Sequence, residues 1–103
     1  MKLNIKKQKI GSTYYDVKEI DDLRGDKNES LSGRILQDCC KILINKQHSY
    51  QTQLHTLLHE DVHGMFWEYK IDDVEDLVEP VANVFYALII DNPKFIQKIL
   101  DYT

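Results

Sequence analysis

Five consecutive residues near the middle of the chain carry the chemistry: His59-Glu60-Asp61-Val62-His63. On a helix, residues four apart share one face and lie a turn from each other. His59 and His63 can therefore present two imidazoles to one metal ion. Glu60 follows the first of them and can serve a metal-activated water as general base. Zinc suits imidazole ligands and leaves a fourth position open. Average residue usage makes this spacing uncommon by chance in a chain of 103 residues.

Two further histidines are near. His55 precedes His59 by one turn, but about 12 Å of helix rise separates it from His63, too far for ligands of one zinc ion. His55 reads as a residue behind the ligands or in the cleft, and His48 as a solvated loop residue. A two-histidine site wants a third protein ligand, and the following segment offers Glu75, Asp76 and Glu79. Spacing alone does not choose among them. Glu79 matches the depth of His63 if the two helices run antiparallel, and Asn83 could then orient a ligand. If Glu75 is the ligand, Glu79 takes that supporting role. Tyr50, Tyr69, Tyr86 and His55 are candidates to stabilise an oxyanion, with nothing to rank them.

These residues need elements to hold them. From Tyr50 to Tyr69, Leu54, Leu57, Leu58, Val62, Met65 and Phe66 recur at helical spacing, with Ser49 as N-cap. Asp72 or Asp73 can cap a second helix, Asp72 with Glu75 having the spacing of a capping box. Leu77, Val78, Val81, Ala82, Phe85, Leu88 and Ile89 supply its expected buried face. Pro80 must sit in the first turns or kink it. Pro93 can open a last short helix running through Phe95, Ile96, Ile99 and Leu100. Upstream, the stretch from Leu3 to Ile10 and Tyr14–Val17 read as a hairpin around Gly11-Ser12. Ile35 and Ile42–Ile44 mark two more strands, and Asp21 to Ser32 a polar loop. The expectation is one α+β domain over residues 1–103: a small antiparallel sheet packed on the His-Glu-x-x-His helix and two further C-terminal helices.

Composition narrows the function. Net charge is −4 and the cations are scattered, apart from a short cluster at Lys6-Lys7. A phosphate-gripping stripe is missing, so no direct nucleic-acid contact is expected. No apolar run approaches the ~20 residues of a membrane span, and Met1–Gln8 lacks the apolar core of a signal peptide. Cys39 and Cys40 are adjacent and read as small strand residues facing opposite sides. No membrane partner and a cytoplasmic location are the expectations.

Thr56-Leu57-Leu58-His59-Glu60-Asp61-Val62-His63-Gly64 resembles the T-L-x-H-E-x-x-H-x active-site helix of ImmA/IrrE-like metallopeptidases. The compact versions from phages and mobile elements of Gram-positive bacteria are the nearest in pattern. The resemblance covers nearly the whole chain. Gly33-Arg34-Ile35 and Ile42-Leu43-Ile44 match the strands before that helix. Glu75 to Ala82 resembles the family's E-x-x-V-[DE]-x-x-A helix, and Asp91-Asn92-Pro93 its D-N-P. Asp61 stands where an apolar residue is usual, and Pro80 is unusual within the second helix.

The resemblance implies a minimal zincin-like fold and a Zn²⁺ ion held by His59, His63 and Glu75. Glu60 would be the catalytic carboxylate and Glu79 would stand behind the ligands. A rival register, Glu79 to Phe85 against the E-x-x-A-N-x-F of larger members, keeps Glu79 open as third ligand. The implied activity is peptide hydrolysis on a protein partner such as a helix-turn-helix transcriptional repressor. The alternative is a protein-interaction module of phage or mobile-element origin, stabilised by metal and without proteolytic activity.

Overall fold

Alternating apolar residues of the first half build a four-stranded sheet with strand order β1-β2-β4-β3. The chain is seen in a computed structural model that describes residues 2–103. Strands β1 (Lys7–Ile10) and β2 (Thr13–Ile20) form an antiparallel hairpin. Gly11 takes φ 60° at the first position of its two-residue loop, where glycine is favoured. Strands β3 (Gly33–Leu36) and β4 (Lys41–Asn45) form a second antiparallel hairpin.

The antiparallel expectation holds for both hairpins, whereas β2 and β4 pair in parallel, so the sheet is mixed. The cause lies in the loop over residues 21–32. It carries the chain past the β4 position to the far edge, and β3 then returns so that β4 fills the gap. Cys39 and Cys40 fall in the turn between β3 and β4, not in a strand. Both thiols are free, and Cys40 has φ 54°. The first strand begins at Lys7, although Leu3 before it is buried.

Helix α1 (Tyr50–Glu68) lies across β1, β3 and β4. Ser49 caps it as expected, its Oγ accepting from the Thr52 N–H at 3.2 Å. Leu57 joins Ile10, Tyr15, Val17, Ile42 and Ile44 in the main core. Gly33 makes the close approach possible, because a Cβ there would stand 2.5 Å from Thr56 Cγ2. A second, smaller core holds α2 (Glu75–Asp91) to α1 through Val62, Phe66, Val78 and Ala82.

The expected buried face of α2 is mostly uncovered. Leu77, Phe85, Leu88 and Ile89 are exposed, because α1 reaches only one edge of that face. Pro80 lies within α2, and Val74 caps the helix without a side-chain bond. Neither Asp72 nor Asp73 is the cap, and Asp73 is engaged by His63 and Trp67 instead. Helix α3 (Pro93–Tyr102) touches no other element but α2. Among the described residues, no helix is long and apolar enough to cross a membrane.

Candidate metal centre

The site is assembled by the way α1 ends. Lys70 takes the left-handed conformation at φ 58°. Its N–H donates to the Trp67 carbonyl, and the Ile71 N–H donates to the Phe66 carbonyl at 2.8 Å. This is a Schellman reversal, built on lysine where glycine is usual. It turns the chain back along α1, so that Asp73, Glu75 and Glu79 arrive beside the histidine face.

Each imidazole is then gripped on both nitrogens. The Nδ1 atom of His59 lies 2.5 Å from Glu79 Oε2, and that of His63 lies 2.7 Å from Asp73 Oδ1. A carboxylate accepts, so a proton on each Nδ1 would satisfy these two contacts and leave both Nε2 lone pairs for another partner. Those Nε2 atoms converge on Glu75, at 3.3 Å from Oε1 for His59 and 3.1 Å from Oε2 for His63. Asp73 also accepts from the Trp67 indole N–H at 2.8 Å, which fixes the carboxylate that fixes the ring.

His59, His63 and Glu75 form a group that could hold a metal ion, with ligand atoms all within 4.8 Å of one another. Donors on a tetrahedral zinc ion stand ~3.3 Å apart, close to the two imidazole–carboxylate separations here. The charge balance fits as well. Three carboxylates crowd two imidazoles, an excess of negative charge that a cation at the Nε2 atoms would neutralise.

Glu60 lies on the same helix but turns toward the sheet, where it is only 7% exposed. Burial pushes its carboxyl up to about 7. Nearby His59 and a hydrogen bond with the Ile35 backbone oppose the rise, while Glu75 and Asp61 add to it. The side chain therefore sits between holding and releasing a proton near neutrality, beside the imidazole pair. Asp61 points elsewhere and accepts from Gln8 Nε2 at 2.5 Å on β1. That bond partners one oxygen of a carboxylate held in a partly buried place. Burial raises Asp61 to about 6, with the Gln8 bond pulling the other way.

The remaining expected residues divide. Glu79 stands behind His59 at Nδ1, on the side away from the Nε2 atoms. His55 stacks on Tyr86 with ring centroids 4.8 Å apart, and its Nε2 lies 3.6 Å from Glu79 Oε1. Asn83 is exposed and makes no side-chain hydrogen bond among the described residues; Asp73 is the residue that orients His63. Of the four oxyanion candidates, His55 lines the cleft and the three tyrosines do not. The sequence suggests Asp73 only as a helix cap and gives no sign of Trp67 as its partner. The one available signal was that Asp73 follows the helix end closely enough to fold back on it.

A cleft of about 1090 Å³ opens over these groups. Its far wall is the polar loop, from Gly25 to Ser32, continuing into Gly33, Arg34 and Ile35 of the edge strand β3. That volume is at the upper end for a small-molecule pocket and suits several residues of a peptide. No protein-family model, curated protein or solved structure matches the chain.

Proposed function

We propose that the protein is a zinc-dependent endopeptidase acting on a protein partner, a helix-turn-helix repressor being the substrate class that the resemblance implies. The observation that carries the reading is Glu60, a buried carboxylate poised near pH 7 beside the two imidazoles. A metal that only fastened helices together would have no use for it.

His59, His63 and Glu75 would hold the ion, with Glu79 and Asp73 keeping the rings aimed. When bound, zinc supplies Lewis acidity and a water whose pKa is lowered toward ~7. Glu60 takes the proton of the attacking water and afterwards gives it to the leaving amine nitrogen, which both requires and suits an affinity near neutrality. The cleft between α1 and the loop wall admits an extended segment of the substrate.

The test is Glu60→Gln. Zinc-loaded protein is expected to cleave a degenerate peptide mixture, read by mass spectrometry. The variant should lose about 100-fold or more of that rate while binding zinc and melting as before. Equal cleavage by both proteins would sink the proposal. A second reading, a metal-stabilised interaction module, is favoured by the small core between α1 and α2, to which a metal tie would add much. In that case neither protein cleaves, and the variant loses nothing.

A further inference from the structure

We infer that the exposed apolar face of α2 and α3 is the seat of a second copy of this chain, joined through an antiparallel pairing of the two α3 helices. Six side chains define the face: Phe85, Leu88 and Ile89 on α2, and Phe95, Ile99 and Leu100 on α3. They are 41–60% exposed. A folded domain seldom leaves so many large apolar side chains bare on two consecutive, touching helices.

Helix α3 makes the need for a cover acute. It has ten residues, and none of them is buried. An isolated helix of fewer than about 12–15 residues is marginal in water and depends on packing of its apolar stripe. Among the described elements α3 meets only α2, and of its aliphatic and phenylalanine side chains only Ile96 is partly covered, so most of the stripe stays bare.

Symmetry names the occupant. Along α3 the apolar residues are placed evenly about the midpoint between Gln97 and Lys98. A two-fold axis there sets Phe95 against Leu100 of the other copy, and Ile96 against Ile99. Every apolar side chain thus meets an apolar side chain, as an isologous interface demands. Helical spacing puts Lys94, Gln97, Lys98 and Asp101 on the opposite face, so no charge is buried by the pairing. The area is adequate. Six half-exposed large side chains offer on the order of 600 Å² of apolar surface. A standard interface buries ~800 Å² per partner, about 65% of it apolar in homodimers. This pairing stands independently of any metal in the site.

Sedimentation equilibrium of the full chain tests it. Wild-type protein is expected to dimerise with a dissociation constant in the micromolar range or tighter. Ile99→Glu should raise that constant about 100-fold or more, since the axis brings both carboxylates against apolar side chains. Tyr14→Glu, an exposed residue on β2, should leave it unchanged. Far-ultraviolet circular dichroism checks that each variant is folded. Mixing Ile99→Glu with Ile96→Lys, each monomeric alone, should restore a dimer, because the pairing sets the carboxylate of one variant beside the ammonium of the other. A wild-type monomer at high concentration would overturn the inference and leave the face to a different macromolecule. A dimer indifferent to Ile99→Glu, or a mixture that stays monomeric, would overturn it equally.

Discussion

Replacing Asp73 with asparagine is expected to weaken zinc binding by about 10–30-fold without unfolding the protein. The carboxylate accepts two hydrogen bonds, from His63 Nδ1 at 2.7 Å and Trp67 Nε1 at 2.8 Å. Asparagine keeps one acceptor oxygen and turns an amide toward the other N–H, so one bond is lost and the negative charge behind the imidazole disappears. The side chains of His63 and Asp73 are only 12% and 22% exposed, so water replaces the loss incompletely. Removing such a partner of a metal-bound histidine costs 10–100-fold in affinity, and asparagine, retaining one bond, belongs in the lower part of that range, ~1.4–2 kcal/mol. Competition against a chromophoric chelator measures the affinity directly. Trp67 is the single tryptophan of the chain, so its emission follows the same titration from inside the network. Trp67→Phe, which removes the indole but leaves the carboxylate, should cost much less. An Asp73→Asn affinity equal to that of the wild type would refute the claim that this carboxylate aims His63.

Three other outcomes follow from the same geometry. Glu75→Ala should reduce zinc affinity more than Glu79→Ala, since Glu75 faces both Nε2 atoms and Glu79 stands behind one ring; titration showing the reverse order would transfer the ligand role to Glu79. Lys70→Gly should stabilise the fold by about 1 kcal/mol in urea melts, because glycine meets no Cβ penalty at φ 58°; a loss of stability would contradict that account of the helix end. Asp61 binds its proton more tightly in the folded chain, so its contribution is present at low pH and lost as pH rises from about 4 through about 6. Asp61→Asn should therefore match the wild type near pH 4 and exceed it above pH 7 by ~2–3 kcal/mol. A difference that does not change with pH would dispose of this reasoning.

How legible the protein was in its sequence depended on the range of the signal. Helix α1, its Ser49 cap and the paired imidazoles were all readable, because capping and the helical period are local. The parallel pairing of β2 with β4 was not, since it arises from where a polar loop carries the chain. Asp73 was read as a cap because its type and position suit one. A left-handed lysine turns it toward His63 and Trp67 instead, and lysine gives no warning of such a turn. The apolar period of α2 was correctly visible, yet periodicity says that a face is apolar and not what lies over it. Leu77 and Leu88 are exposed for that reason.

The grouping of His59, His63 and Glu75 draws on both sides of the reversal at Lys70, and α2 has only a few buried side chains of its own to keep it in place. Zinc supply would thus act as a latch on the whole C-terminal arm. Without the ion the three neighbouring acids would push apart, and the short link between the helices would be a stretch open to nicking by proteases. Lifetime in the cell would then track metal availability.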